Sequence, residues 1–430
     1  MPTASHPENH RNGHEFRAWV TSAVRLFGQT LLARIGFLRA GSARARTVVL
    51  ASNGDANIGD VALLEAFVST VGGPVLVIAR DPASYPFIAD LGSRVEVERT
   101  SMIWGSRVHR IRSFVRFGAA LRGARAFVVI GADNMDGGYG DHFAVTEWAS
   151  AIIARRLGVP SRIAGFSWSA EPSSAAVRAL HRAARAGVEL FPREHLSADR
   201  LPEPSRGSAV VTADLAFLLA EPVPDERWTP HVADLRERGA TVCLLNVSAL
   251  IASRVDLAAD YRAIVAGLVA EGHHVVVVPH VGGHGNDDRT AARVALGVQG
   301  DSADITFVED LLAPREIKAL AAEADLVVTG RMHLSVLAMS VGTPAIVFAT
   351  QGKVEGLLGH FGLAKFALVP SPGLAVRVLE LAGDRPRLAR ARAEISAALP
   401  RVRRLAAQNL AGLPLQGVGA DHATAGTGRA

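Results

Sequence analysis

Short apolar runs alternate with helical patterns along most of this 430-residue chain, in two successive series. A parallel strand covered by helices on both faces reads as an unbroken apolar run, so the alternation predicts parallel sheets with crossover helices. The first series places strands at Thr47–Ala51, Val75–Ala79, Phe127–Ile130, Arg162–Phe166, Val188–Phe191 and Val210–Thr212, with helices such as Asp60–Val71 and Phe143–Leu157 between them. The second places strands at Thr241–Val247, His274–Val278, Ile305–Val308, Leu326–Thr329 and Ala345–Ala349. Its helices lie near Leu257–Glu271, Pro314–Glu323 and His333–Val341. A Pro- and acid-rich stretch, Ala220–Pro230, reads as the linker. The expectation is an α/β chain of two Rossmann-like domains, residues 47–220 and 231–412, facing a cleft at the carboxyl ends of their strands. An Arg-rich helical pattern, Pro386–Leu410, closes the second domain. The Gly/Ala/Thr-rich tail, residues 413–430, reads as disordered.

Composition supports a globular reading, with 49% hydrophobic and 20% charged residues. The net charge is +5 and arises from arginine, because the only lysines are Lys318, Lys353 and Lys365. Such a balance suits an anionic substrate, an anionic membrane or nucleic acid. Arginine–aromatic interleaving and zinc-finger spacing are both missing, which argues against nucleic acid. Cys243 is the single cysteine, so no intrachain disulfide can form and a reducing compartment is permitted. Its place in the apolar run Ala240–Val247 predicts a buried thiol. No apolar run reaches the length of a membrane span, and the N-terminus lacks the pattern of a secretory signal. A cytoplasmic location is expected.

Residues 1–46 read as a disordered start followed by a basic amphipathic helix. Phe16, Trp19, Val20, Val24, Phe27, Leu31, Ile35 and Leu38 recur at helical spacing among Arg17, Arg25, Arg34 and Arg39. Two readings follow. Residues 16–38 can make a peripheral contact with an anionic membrane at its inner face, or the helix can pack on the first domain, which Arg34 inside the apolar face favours.

Four constellations could carry chemistry. In Ala324–Pro344, a strand ends at Thr329-Gly330, Arg331 and His333 open a helix, and Gly342 and Pro344 stop it. A helix start offers free N–H groups and a positive dipole end; with a guanidinium it becomes an anion site for carboxylate or phosphate. The imidazole of His333 can act as an acid. The stretch Ser52–Asp60 after the first strand is rich in Asn and Asp, yet lacks both the Gly-x-Gly-x-x-Gly and the P-loop spacing. There Asn57 and Asp55 can bind sugar hydroxyls, and Asp60 reads as the N-cap of a helix starting at Val61. The loop Gly131–Gly140 holds Asp133, Asn134 and Asp136, whose carboxylates could serve as bases or orienters; spacing suggests no third metal ligand. Arg193, His280 and Lys353 each follow a predicted strand and face the expected cleft, Arg193 as a second anion clamp.

In this order the pieces resemble the polysaccharide pyruvyl transferase family, from about Thr47 to Leu363. The likeness rests on Arg331-Met332-His333, Gly342-Thr343-Pro344 and Lys353, then Asn57-Ile58-Gly59-Asp60, Arg193-Glu194-His195-Leu196-Ser197, Ala213-Asp214-Leu215-Ala216-Phe217 and Pro279-His280. The chain departs from the family pattern at Gly131-Ala132-Asp133, where members carry three glycines, at Glu194, where they carry Asp, and at Met332, where they carry Leu. The resemblance implies a GT-B-like fold, with the second domain on the donor side and the first on the acceptor side. It implies phosphoenolpyruvate as co-substrate, no tightly bound cofactor, and transfer of the pyruvyl group onto two hydroxyls of a glycan or lipid-linked glycan as a ketal. By matching position His333 would be the catalytic acid. Arg331 and Arg193, with Lys353 and His280, would bind the donor; Asn57, Asp60, Asp133, Asn134 and Asp136 would face the acceptor. Two alternatives use the same architecture: a nucleotide-sugar glycosyltransferase or epimerase, with Glu355 as the acid for ribose hydroxyls, and a non-catalytic glycan-assembly protein.

Overall fold

A computed structural model describes residues 8–41, 44–52, 54, 56–283, 286–297, 300–349 and 352–416, with residues 8–21 as backbone only. Asp55, the side chains of Phe16, Arg17, Trp19 and Val20, and the tail beyond 416 lie outside the described residues.

The chain forms two six-stranded, all-parallel sheets. The first comprises β1 (Thr47–Leu50), β2 (Val75–Ala79), β3 (Val95–Arg99), β4 (Ala126–Ala132), β5 (Ser161–Phe166) and β6 (Glu189–Pro192), in the order β3-β2-β1-β4-β5-β6. The second comprises β7 (Thr241–Asn246), β8 (His273–Val277), β9 (Ile305–Phe307), β10 (Leu326–Thr329), β11 (Ala345–Phe348) and β12 (Ala367–Leu368), in the order β12-β11-β10-β7-β8-β9. Each half repeats the doubly wound Rossmann order, as expected, with the topological switch between its first and fourth strands. The interior strands β1, β2, β4 and β5 are buried along their whole length, which is why they are legible as plain apolar runs.

Two edge strands escape that logic. β3 reads Val-Glu-Val-Glu-Arg and is largely exposed, and β12 has only two residues. Val210–Thr212, expected as a strand, is not one. It lies along β6 through two hydrogen bonds, Val210 N–H to Leu190 O and Thr212 N–H to Pro192 O, and then turns away to deliver Asp214 to the cleft.

Helix α1 (Glu8–Arg39) starts earlier than the apolar periodicity suggests, since a nucleated helix extends cheaply by one hydrogen bond per residue. Helix α2 (Ile58–Thr70) follows β1, α3 (Arg107–Leu121) precedes β4, and α4 (Asp141–Arg156) follows it. α2 is buried on nearly all sides because it lies between the two sheets, and one apolar cluster runs from Val49, Leu63 and Phe67 to Leu244 and Val276. Cys243 is buried in β7. The helix Arg385–Gln408 leads the chain back to the first domain. There Asn409 accepts from Gly165 N–H (2.8 Å) and donates to Ala213 O (2.9 Å).

The domains also clasp beside the cleft. Ile58 N–H donates to His280 O (3.1 Å) and Gly282 N–H to Ala56 O (2.9 Å). The loops after β1 and β8 are thereby held in register across the gap.

Candidate functional site

The carboxyl ends of β1, β4 and β6 face those of β8, β10 and β11 across a cavity of about 840 Å³. Among the sequence-predicted residues, Asn57, Asp60, Asp133, Asn134, Arg193, His280, Arg331, His333 and Lys353 all line it. Asp136 does not: its carboxylate accepts from Gly138 N–H (2.9 Å) and Ser169 N–H (3.2 Å) and so holds the turn that leads into α4.

The helix start forms as its sequence suggests. Arg331 is the N-cap of the helix Met332–Met339, and Thr329 Oγ1 accepts from its N–H (2.9 Å). Gly330 permits the tight exit from β10, since a Cβ there would meet Ser248 Cβ and Ile251 Cδ1 at 2.7 Å. His333 then projects into the cavity with Nε2 3.4 Å from Asp214 Oδ2. That is ion-pair range without hydrogen-bond geometry, and Nε2 finds no hydrogen-bond partner among the described residues. The other side of the imidazole rests on Gly59: a Cβ on that glycine would lie 2.2 Å from His333 Nδ1.

Asp214 is the residue the sequence reading left without a task, although it sits in the family-like stretch Ala213–Phe217. It is buried, accepts from Arg193 Nη1 (2.8 Å) and Ala216 N–H (2.9 Å), and faces His333. Burial pushes its carboxyl up, but His333 and Arg193 outweigh that and hold it well below the usual carboxylate range. Arg193 is buried too. Its Nε donates to Ser167 Oγ (2.8 Å), while Nη2 has no partner among the described residues. Beside it, Glu194 caps the next short helix through Ser197 N–H (2.6 Å), so the change from Asp to Glu keeps a capping carboxylate.

Two other predicted cations are already paired. Arg331 donates to Asp288 through Nη2 (2.7 Å) and Nε (3.2 Å) and to Asn286 (2.9 Å). Lys353 makes an ion pair across the cleft with Asp133, which also accepts from Tyr139 (3.1 Å). Burial pushes Asp133 up, yet Lys353, Arg193 and His333 together hold it low. Their proximity was not legible from sequence, since 220 residues separate Lys353 from Asp133.

Asn57 and Asp60 exchange the parts expected of them. The helix starts at Ile58, not Val61, and Asn57 is its N-cap, accepting from Gly59 N–H (3.0 Å). The earlier start buries Ile58 and lays Gly59 flat against His333. Asp60 falls in the first turn, accepts from Gly54 N–H (3.2 Å), and is pushed up by burial and by Asp133. Close by, Glu147 of α4 is a buried carboxyl that sequence reasoning missed, because nothing around it marks an acid on a buried helix face. Its Oε2 has no partner among the described residues. Burial, then Asp60 and Asp133, push it well above the ordinary value. His280 is buried with both ring nitrogens unpartnered among the described residues, and burial, then His333 and Arg331, hold it neutral.

The cavity thus brings charges of both signs together. Arg331 and Lys353 from the second domain and Arg193 from the first supply cationic groups, with the His333 imidazole beside them; Asp60, Asp133 and Glu147 supply carboxyls from the first domain. Trp104 and Phe143 line its first-domain side with ring centroids 5.8 Å apart, and the Arg80 guanidinium lies 5.1 Å from the Trp104 centroid. Such a mouth suits the apolar face and hydroxyls of a sugar. Among the described residues no cluster of three or more His, Cys, Asp or Glu could hold a metal ion.

Solved structures with the same architecture include the UDP-GlcNAc 2-epimerase from Neisseria meningitidis bound to UDP-GlcNAc (11% identity, TM-score 0.54, 85% of this chain and 99% of that one). They also include S. aureus MnaA with UDP (13%, 0.55, 85% and 94%) and Anabaena Alr3699/HepE with UDP-glucose (12%, 0.51, 86% and 100%). At these identities the likeness shows the fold alone, two Rossmann-like domains in the GT-B arrangement. No curated protein matches the chain in sequence. The sequence profile of one family, polysaccharide pyruvyl transferase, matches residues 57–352, well over half of the chain and most of the residues that line the cavity. The chain belongs to the polysaccharide pyruvyl transferase family.

Proposed function

We propose that this protein transfers the pyruvyl group of phosphoenolpyruvate onto two hydroxyls of a glycan sugar as a ketal, releasing phosphate, in cell-surface polysaccharide synthesis in the cytoplasm. The observation that carries the reading is the cavity itself: the helix start with Arg331 and His333, and Lys353, on the second-domain side face Arg193 and the carboxyls Asp60, Asp133 and Glu147 on the first-domain side. A donor bearing both a phosphate and a carboxylate matches the arginines, of which Arg193 has in Nη2 a desolvated donor without a partner among the described residues. Sugar hydroxyls match the carboxyls Asp60, Asp133 and Glu147, which lie beside Asn57 and Asn134.

In this reading the enol carbon takes a proton and one acceptor hydroxyl adds to C2. The C2–O bond to phosphate then breaks, and the second hydroxyl closes the ketal. The two hydroxyl protons are balanced by one on the new methyl group and one on the released phosphate. His333 donates to the enol carbon or to the departing phosphate, and Asp214 stabilises the imidazolium between turnovers. Phosphoenolpyruvate is a co-substrate, and the reading uses no tightly bound cofactor.

The test is phosphate release with mixed glycan acceptors, joined to mass spectrometry for a product heavier by about 70 Da, the mass a pyruvyl ketal adds. His333→Ala should bind phosphoenolpyruvate by calorimetry but lose at least about 100-fold in turnover. Wild-type turnover in that variant would remove His333 from the mechanism. No phosphate release with any acceptor would favour the non-catalytic reading. A nucleotide-sugar activity has one supporting observation, a buried Glu355 oxygen without a partner among the described residues. That residue does not line the cavity, and thermal shift by UDP- or GDP-sugars but not by phosphoenolpyruvate would be needed to revive it.

A further inference from the structure

The positive charge of this chain is not spread over its surface. Residues 16–54 and 100–132 hold twelve arginines and no lysine, aspartate or glutamate. Of the chain's 46 basic residues, that leaves 34 elsewhere against all 41 acidic ones, so the rest of the chain is net negative. The tertiary structure brings the two basic stretches together, because α1 packs on α3. The contact is backbone-close: a Cβ on Gly36 would lie 1.8 Å from Val115 O, and one on Gly118 would lie 1.8 Å from Ala33 O.

That contact uses one side of α1 only. Leu26 and Ala33 are buried, while Val24 (65% exposed), Phe27 (69%), Leu31 (50%) and Leu38 (65%) are not. At 3.6 residues per turn these four fall within an arc of about 60°, on the side away from Ala33. Arg34 and Arg39 are exposed beside them, and α3 adds exposed Val108 (57%), Ile111 (42%), Arg107, Arg112 and Arg116. Arg44 and Arg46 are partly neutralised by Glu96, and Arg25 and Arg110 turn towards His142. A water-exposed stripe of large apolar side chains is unusual for a helix already packed on its own domain.

We propose that the exposed face of α1, with the exposed α3 residues at its flank, docks on an anionic lipid bilayer, with Phe27 and Leu31 entering the interface and the arginines meeting phosphate headgroups. Charge decides the occupant. A second copy would set the same arginines against one another, at a repulsive cost, whereas an anionic leaflet attracts each exposed Arg and accepts the apolar stripe. No described helix is long and apolar enough to cross the membrane, so the contact is peripheral. The two helices are tied to the cavity mouth: His142 contacts both Arg25 (2.8 Å) and Arg110 (3.3 Å), its neighbour Phe143 lines the cavity, and Trp104 lines it just before α3. Docking would bring the aromatic side of the mouth towards the lipid surface, within reach of a glycan held on a lipid carrier. This last point rests on the transferase reading; the docking does not.

The experiment is co-sedimentation of the full chain with phosphatidylcholine vesicles, with and without phosphatidylglycerol. Binding to the anionic vesicles, weakened by added salt, is expected. Phe27→Glu/Leu31→Glu should lower the partition coefficient at least about tenfold, and Val108→Glu should lower it independently from α3. All three side chains are exposed, so unchanged thermal melts separate lost docking from misfolding. Equal binding to neutral vesicles, no binding, or unchanged binding of both variants would overturn the proposal. A wild-type dimer that Phe27→Glu/Leu31→Glu converts to monomer would also overturn it, in favour of a homotypic interface. Phosphoenolpyruvate plays no part in the assay, so its failure would leave the transferase reading intact.

Discussion

Gly59→Ala is the sharpest probe of the site, because the change is local, conservative and sterically specific. In an unstrained helix it should add up to about 1 kcal/mol of stability. Here the added methyl would sit 2.2 Å from His333 Nδ1, 2.5 Å from Cγ and 2.8 Å from Cβ. Rotating the ring about Cβ–Cγ can relieve only the first contact, since Cγ lies on that axis and Cβ is fixed to the backbone. Reaching ordinary contact at 3.4 Å requires the imidazole to move by about 1.2 Å from its place between Gly59 and Asp214. A displacement of about 1 Å at a reacting group costs on the order of 100-fold in rate. The clash itself costs about 1–3 kcal/mol, much of it offset by the helix propensity gained. The prediction is therefore a folded protein with a melting temperature within a few degrees of wild type, phosphoenolpyruvate affinity little changed, and kcat for phosphate release down about 100-fold. Gly359→Ala, a helical position with open space around it, serves as the control and should leave kcat unchanged. If Gly59→Ala keeps kcat within about threefold, the position of His333 against Gly59 and Asp214 does not set the rate, and the assignment of His333 as the acid is refuted.

Arg331→Ala should cost about 3 kcal/mol in denaturant unfolding, because it leaves the buried Asp288 carboxylate without its cation. Glu65, buried on α2, has its carboxyl pushed up to about 7 by burial. Its folded value lies above its unfolded one, so the stability it contributes is complete below about pH 4.5 and is lost as pH rises through 7. Glu65→Gln should therefore remove on the order of 3 kcal/mol of pH-dependent destabilisation between pH 4.5 and 8, read as a flatter curve of unfolding free energy against pH. Ala132 holds a left-handed backbone (φ 45°) where family members carry glycine; Ala132→Gly should raise stability by up to about 1 kcal/mol, and a loss would show that the strain lies elsewhere.

Much of this protein was legible from residue order alone. Buried parallel strands need apolar side chains on both faces, so β1, β2, β4 and β10 announce themselves, and Gly330 with Thr329 mark where a helix must begin. Capping is less legible: Asn57 and Asp60 are both competent caps, and only the burial of Ile58 and the approach of Gly59 to His333 choose between them. The site's electrostatics could not be read at all. Arg331, Lys353 and Arg193 look like three equivalent anion clamps in the sequence, yet Asp288, Asp133 and Asp214 engage them in three different ways. The basic stretches 16–54 and 100–132 likewise look unrelated until Gly36 and Gly118 bring α1 onto α3. Local backbone preferences and burial periodicity act over a few residues, so the sequence by itself determined the two sheets, their crossover helices and the helix start at Arg331. Coulombic pairing and desolvation depend on distance through space, so only the tertiary structure decided which charges are neutralised, which carboxyls stay protonated, and that His333 stands between Gly59 and Asp214.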